Sequence, residues 1–356
     1  MKAVLLAGGF GTRLRPLTLN TPKPIVPIFD RPIVYHQIDL LKKLPDVNEV
    51  ILSLNYKPDR IRERIGNGAE TGLPIKYLIE PDPRGTGGAV KFAAPQLSGT
   101  TIVFNGDVLT NVDLAEALRF HKKRKAQATI VLTPVKDPSQ YGVVETDSAG
   151  NVIRFLEKPT PDITACKSIN AGIYILEPTT FDRIPSGTAY SIEREYFPSL
   201  VEHNDTFIAF HSNGYWLDIG TPATYLQAHR DIMTGLCKAF PFLDASLDKP
   251  VISTNVTIEP GAQLIPPCFI GEGSKIQTGA QIRPMSVIGR STVVGEDAVI
   301  EDAVLWNNVV VESSATVRGA IIGHHCKIGL HSVLGPGVVL GDDSIVAPYS
   351  TVGTGP

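Results

Sequence analysis

From residue 1 to about residue 232, short β-branched apolar runs alternate with longer stretches whose apolar residues recur at helical spacing. The runs are "KAVLLA" (2–7), "EVILSL" (49–54), "IKYLI" (75–79), "TIVFNGD" (101–107) and "ATIVLTPV" (128–135), and "RPIVYHQIDLLKKL" and "DLAEALRFHKKRK" are two of the helical segments between them. Strand alternating with helix predicts an α/β, Rossmann-like domain built on a mostly parallel sheet covered on both faces. Such sheets bind ligands at the carboxyl ends of their strands.

Beyond residue 250 the period changes. Every sixth residue from Ile252 is aliphatic: Ile252, Ile258, Leu264, Ile270, Ile276, Ile282, Ile288, Val294 and Ile300. After a one-residue slip the series runs Leu305, Val311 and Val317, and after a second slip Ile322, Ile328, Leu334, Leu340, Val346 and Val352. Four residues after most of these stands a small side chain, as at Ala262, Cys268, Ser274, Ala280, Ser286, Thr292, Ala298, Ala315, Cys326, Ser332, Ser344 and Ser350. An aliphatic knob with a small corner residue every six positions predicts a parallel β-helix, each coil burying the apolar face of the next. The pattern resembles the left-handed hexapeptide-repeat β-helix, with about six coils at roughly 4.8 Å per coil. The segments are therefore expected at 1–232 (catalytic domain), 233–250 (linker) and 251–356 (β-helix).

Composition adds exclusions. A chain of 356 residues, 43% hydrophobic and 19% charged, is long enough for two cored domains. A net charge of −3 with no long Lys/Arg run argues against nucleic-acid or membrane-surface partners. No apolar run approaches the roughly 18 residues of a membrane span, and the first residues lack a signal-peptide core, so a cytoplasmic protein is expected. The four cysteines lie far apart without CxxC spacing, which suggests neither a zinc site nor a disulfide framework and reads as buried thiols. Among the β-helix histidines His324, His325 and His331, one could serve acyl transfer, as in some hexapeptide-repeat enzymes. No long loop interrupts the coils to build an acyl-carrier site, and assembly or packing is the plainer reading.

The candidate chemistry starts in "LLAGGFGTRLRPLTLNTPKP" (5–24). Gly8, Gly9 and Gly11 follow the first strand and let backbone N–H groups approach a phosphate. The spacing satisfies neither the dinucleotide fingerprint nor the P-loop. Arg13, Arg15 and Lys23 follow instead, with no acid before Asp30. Each cation about 4 Å from a phosphate oxygen gives roughly 4 kcal/mol of gross attraction at an effective dielectric near 20, enough between them to hold a triphosphate.

"GGFGTRLRPLTLNTPKP" resembles the signature of the sugar-1-phosphate nucleotidylyltransferases. "RGTGGAV" (84–90), "FNGDV" (104–108), "YGVV" (141–144), "FLEKP" (155–159), "INAGIYIL" (169–176) and "WLDIGTP" (216–222) then stand in family order, before the β-helix. The resemblance implies a GT-A-like fold and attack of a sugar-1-phosphate oxygen on the α-phosphorus of a nucleoside triphosphate, with pyrophosphate leaving. The nucleophile is already an anion, so no general base is required. Charge neutralisation and in-line positioning remain for the protein.

By the same resemblance, Arg13 binds the triphosphate and the leaving pyrophosphate, Lys23 the α-phosphate, and Asp107 and Asp218 hold Mg²⁺, which suits carboxylates plus phosphate oxygens. Arg15 could equally be a surface charge. The loop positions Leu6, Ala7, Gly8, Gly9, Gly11 and Thr12, with Gly85 and Thr86, would line the nucleotide. Glu157 and Lys158 match the pair contacting sugar hydroxyls and sugar phosphate, and Gly106, Gly142, Asn170 and Gly172 complete that side. "DPSQYGVV", "NAGIYIL", "SIEREYFP" and "GYWLDIGTP" look most like the members that transfer a guanylyl group to mannose 1-phosphate.

The resemblance also bears on the base: in "YLIEPDPRGTGGAV", Glu80 stands where the thymidylyl and uridylyl relatives carry a Gln that pairs with the pyrimidine edge. A carboxylate only accepts, and guanine offers adjacent N1–H and N2–H₂ donors, whereas thymine and uracil set an acceptor beside one donor. GTP is favoured, with thymidylyl or uridylyl transfer as the alternative and a plain loop acid before Pro81 as the bland reading of Glu80. A non-catalytic regulatory homologue would be expected to lose motif residues that are present here. A homo-oligomer is expected from the flat-sided β-helix.

Overall fold

The computed structural model describes residues 1–160 and 165–353. They form two compact units that interleave along the chain: Met1–Gly9 with Gln37–Trp216, and Phe10–His36 with the chain from Leu217 onward.

The main sheet of the first unit has nine strands among the described residues: β1 (Lys2–Leu6), β2 (Glu49–Leu54), β3 (Ile75–Ile79), β4 (Thr101–Asn105), β5 (Ala128–Pro134), β6 (Gly142–Thr146), β7 (Val152–Glu157), β8 (Ser168–Leu176) and β9 (Phe207–His211). Their order is β7-β6-β8-β4-β1-β2-β3, with β5 pairing β8 and β9. Strands β3, β2, β1 and β4 are mutually parallel, as the alternation with helices predicts. Strand β8 runs antiparallel to β4, β5 and β6, and β7 antiparallel to β6. The central strands read as continuous apolar runs because both faces are covered: Ala3, Val4, Leu5, Val50, Ile51, Leu52, Ile102, Val103 and Phe104 are wholly buried.

In β8 the register with β5 shifts between Asn170 and Tyr174. Gly172 sits in that bulge at φ +72°, where a Cβ would stand 3.0 Å from the Asn105 side chain.

The second unit holds the β-helix, three six-stranded parallel sheets that stack into six coils. The hexad series is the register itself. Ile252 pairs Ile270, Ile270 pairs Ile288, Ile288 pairs Leu305, Leu305 pairs Ile322 and Ile322 pairs Leu340. The slips have a physical cause. A residue with positive φ turns most corners three positions after the aliphatic knob, as at Asn255, Ser291, Asn308, His325 and His331. At Asp302 and Gly319 it comes two positions after Ile300 and Val317, so each slip is one residue removed from a corner. The small inward residue is kept there by Ala303 and Ala320, both wholly buried. The knobs from Ile270 to Leu334 are wholly buried too, whereas Ile252 and Ile258 of the first coil, with a neighbour on one side only, are exposed.

All four cysteines are free. Cys237, Cys268 and Cys326 are buried, and burial pushes the Cys237 and Cys268 thiols up to about 12. Cys166 corrects the expectation of buried thiols throughout: it is only half-buried, because it precedes β8 on a connecting segment, its Sγ 3.4 Å from Val144 O. His325 and His331 turn corners, and the His324 ring packs 4.7 Å from that of Trp306. Among the described residues no helix is long and apolar enough to cross a membrane.

Candidate active site

In the first unit, the predicted nucleotide residues gather at the carboxyl ends of β1 to β4. Leu6 ends β1 in register with Ser53 and Asn105. The Ala7 N–H donates to Ser53 O at 2.9 Å and the Gly106 N–H to Leu6 O at 3.0 Å, which clamps the neighbouring strand ends. Gly106 has no room for a side chain, since a Cβ would lie 2.6 Å from Leu6 O. Gly8 lies against Asn55 and Glu80, whereas a Cβ on Gly9 would meet open space.

Glu80 follows β3 and is buried at 6% exposure, which sets it apart from a solvated loop acid. Its Oε1 accepts from Ser53 Oγ at 2.8 Å and its Oε2 from the Arg84 N–H at 3.2 Å. The carboxylate is thus fixed in orientation, and each oxygen keeps a further lone pair for a ligand donor. Asp107, half-buried, follows β4, whose end is pinned by Gln37 Nε2 donating to Asn105 O and Val108 O at 2.9 and 3.0 Å.

The glycines of "RGTGG" answer first to the protein's own chain. A Cβ on Gly85 would lie 2.8 Å from Tyr190 O, and one on Gly88 would lie 2.8 Å from Arg84 Cβ. The Gly87 and Gly88 N–H groups both donate to Tyr190 O. The Thr86 hydroxyl is likewise engaged, donating to Glu193 at 2.8 Å and accepting from the Ile192 N–H at 2.9 Å. The N–H groups of Gly85 and Thr86 stand in the first turn of the helix Gly85–Ala93.

Of the predicted sugar side, Gly106 lies at the end of β4 described above, and the other residues lie on or just after β6, β7 and β8 of the same unit. Gly142 pairs with Glu157, and a Cβ on Gly142 would strike the Phe155 ring at 2.6 Å. Lys158 takes φ +48°, its N–H donating to Tyr141 O at 3.0 Å. Asn170 is locked by the β8 bulge: its Oδ1 accepts from the Gly172 N–H and its Nδ2 donates to the Tyr174 hydroxyl, each at 2.9 Å. Glu157 is a surface side chain whose neighbours still exclude some water, and that desolvation, then the Glu193 carboxylate, raises its pKa against the opposing pull of Lys158 and Arg194. Glu193 and Trp216 escaped the sequence reading. Trp216 packs edge-on to Tyr141 at 5.4 Å and donates from Nε1 to Ala171 O at 2.9 Å.

The second unit holds the other predicted residues. Gly11 takes φ +62°, packs on Thr18 and the Lys23 stem, and opens a chain of short turns. Thr12 and Arg15 are exposed, and Lys23 is half-buried in the turn Lys23–Ile25. Arg13 Nη2 stands 3.5 Å from Asp218 Oδ2. Gly220 makes that placement possible: a Cβ there would sit 2.7 Å from Arg13 Nη2. Nothing in the sequence marked Gly220 beyond its place in "WLDIGTP". Asp107 in the first unit and Asp218 in the second each present carboxylate oxygens, the hard donor type that divalent ions prefer.

A family model described as nucleotidyl transferase matches residues 2–235. The chain belongs to the nucleotidyl transferase family. A second model, the EIF2B subunit epsilon LbH domain, matches residues 249–352, in keeping with a left-handed β-helix. Among curated relatives in this nucleotidyl transferase family, mannose-1-phosphate guanylyltransferase of Mycobacterium tuberculosis is 39% identical over 79% of this chain and 77% of its own length. Mannose-1-phosphate guanylyltransferase 1 of Arabidopsis thaliana is 40% identical over 78% of this chain and 77% of its own. Of solved structures, HddC from Yersinia pseudotuberculosis complexed with GMP-PN has a TM-score of 0.56 at 31% identity, covering 64% of this chain and 97% of that one. The chain is thus an enzyme of the nucleotidyltransferase class.

Proposed function

We propose that the enzyme transfers a guanylyl group from GTP to mannose 1-phosphate, giving GDP-mannose and pyrophosphate. The curated relatives that share most of the chain carry that activity in their names. The observation that carries the choice of base is Glu80: a buried carboxylate, oriented by Ser53 and the Arg84 N–H, that can accept from both guanine donors.

In this reading the sugar phosphate attacks as an anion, and the chain supplies cations and alignment. Arg13 takes the β- and γ-phosphates and the departing pyrophosphate, and Lys23 the α-phosphate. Glu157 accepts from sugar hydroxyls, Asn170 adds a further hydroxyl contact, and Lys158 holds the sugar phosphate. Asp107 and Asp218 fit Mg²⁺, because both are half-buried carboxylates with hard oxygen donors. When bound, the ion neutralises charge on the phosphates. In chain order we retain 1–232 as the catalytic segment, 233–250 as the linker and 251–356 as the β-helix, supported by the extents of the two family matches.

The test is pyrophosphate release from GTP, dTTP and UTP, each with mannose 1-phosphate and glucose 1-phosphate. GTP with mannose 1-phosphate should turn over fastest. A preference for dTTP or UTP with glucose 1-phosphate would overturn the guanylyl assignment.

A further inference from the structure

The segment Phe10–His36 carries Arg13 and Lys23, and ahead of the helix Ile33–Leu41 it has little regular structure of its own: three-residue turns at Thr12–Leu14, Leu17–Leu19 and Lys23–Ile25, and a two-residue ladder of Pro27–Ile28 with Arg31–Pro32. Ordering such a segment costs about 1–2 kcal/mol per residue in backbone entropy, so anchors must come from elsewhere. The structure shows where.

In one sheet of the β-helix, the residue after each knob is Gly271, Gly289, Gly323 and Gly341 in the second, third, fifth and sixth coils. A Cβ on Gly289 or Gly323 would lie within 2.8 Å of the next coil's backbone, which explains those glycines. The fourth coil breaks the column with Trp306, a wholly buried side chain. Its Nε1 donates at 2.8 Å to the Tyr225 hydroxyl, which in turn donates to Pro27 O of the loop.

The neighbouring coils hold the rest of the loop. Arg290 Nε and Nη2 reach Asp30 Oδ2 at 3.1 and 3.0 Å, and the Asp30 side chain is only 7% exposed. Phe29 packs on Phe269 at 5.4 Å, and its N–H donates to His229 at 3.0 Å. Thr21 Oγ1 donates to Asp342 Oδ2 at 3.2 Å, while Asp342 Oδ1 accepts from the His324 N–H at 2.9 Å. Gly341 leaves space for Pro16, since a Cβ there would come 3.1 Å from Pro16 Cβ. From Phe269 to Asp342 these anchors climb four coil steps, about 19 Å at 4.8 Å each.

We propose that this corner of the β-helix is the mould of the triphosphate loop, with Arg290, Trp306 and Asp342 acting as positioning residues for Arg13 and Lys23. The inference rests on the proposed function in giving Arg13 and Lys23 the phosphates. The β-helix then takes part in shaping the triphosphate site.

The experiment compares Arg290→Met, Asp342→Ala and Arg290→Lys with wild type by steady-state kinetics and by amide hydrogen exchange of the ligand-free full chain. Arg290→Met and Asp342→Ala should each lower kcat/KM for the NTP at least tenfold, leave KM for the sugar phosphate within twofold, and speed exchange over residues 10–36 but not over 310–334. Arg290→Lys, which keeps the charge but not the fork, should fall between. Wild-type kcat/KM for the NTP, or unchanged exchange over 10–36, would overturn the proposal. So would equal losses for both substrates with β-helix protection lost. If wild type fails to use GTP and mannose 1-phosphate, the proposed function falls while the exchange comparison still decides whether the corner moulds the loop.

Discussion

Gly220→Ala separates the placement of Arg13, the cation we propose for the triphosphate, from the stability of the fold. The Cβ it adds would stand 2.7 Å from Arg13 Nη2 and 2.8 Å from Cζ, against at least 3.4 Å for an ordinary contact. The guanidinium must therefore retreat by about 0.7 Å, the difference between the two limits, and its 3.5 Å approach to Asp218 opens further. Retreat is easy, because the Arg13 side chain is 63% exposed and the struck atoms are its flexible end. The exposed ion pair contributes about 0–1 kcal/mol, and replacing glycine where φ is ordinary returns roughly 0.4–1 kcal/mol through the unfolded chain. Tm should move by no more than about 2 °C. Activity should not be spared: a charge-assisted contact to phosphate contributes about 1.5–3 kcal/mol, so its loss costs roughly 10- to 150-fold in kcat/KM for the NTP.

The assay is pyrophosphate release beside a thermal melt, with Arg13→Ala and the double variant as controls. If Gly220 acts through Arg13, adding Gly220→Ala to Arg13→Ala changes nothing further. Full activity in Gly220→Ala, or equal losses in both backgrounds, would refute the reasoning. Gly106→Ala gives the opposite signature, since its Cβ would strike Leu6 O at 2.6 Å, a backbone atom of β1 that cannot step aside. About 1–3 kcal/mol of stability should go with it, measured by urea unfolding.

Gly9→Ala meets open space in the protein, so its melt should match wild type; a raised KM for the NTP, read by steady-state kinetics, would place the ligand against it. Glu80→Gln can keep its local bonds, because the Ser53 hydroxyl can turn from donor to acceptor while the amide oxygen takes the Arg84 N–H. The ratio of GTP to dTTP use should nevertheless fall about 10- to 150-fold, and an unchanged ratio would remove Glu80 from base recognition. His229 is buried and neutral, with Nε2 accepting from Phe29 N–H and Nδ1 donating to Tyr225 O, and burial lowers it to about 4. Because that lies below the unfolded value near 6.5, its contribution is intact above pH 6.5 and lost as pH falls towards 4, about 2 kcal/mol by pH 5. Urea unfolding at pH 8 and pH 5 should show that difference in wild type, and a correspondingly smaller one in His229→Gln.

The β-helix was legible in the sequence down to its register, because a coil contacts only its neighbours and each sixth residue meets an identical environment. Even the two slips were visible as phase, though only the structure shows a corner shortened at Asp302 and Gly319, with Ala303 and Ala320 keeping the inward position filled. What the period hides is the exception. Trp306 follows its knob as glycine does in the coils on either side, and the hexad rule has no term for a side chain that leaves its own prism to meet Tyr225. The same limit governed the active site. Motif order marked Arg13, Glu80, Asp107, Glu157 and Asn170, but whether Glu80 is a solvated loop acid or a buried, oriented one depends on Ser53, 27 residues away. Gly85 was read as lining the nucleotide, yet Tyr190 O, 2.8 Å from where its Cβ would stand, already requires a glycine there. Glu193 stayed unmarked because its meaning lies in Thr86 and Glu157, not in its own segment. Spacing along the chain reports a residue's local duty. Distant backbone decides which glycines the fold itself requires, and Gly9, whose Cβ would meet nothing within 4 Å, is a motif glycine that it does not.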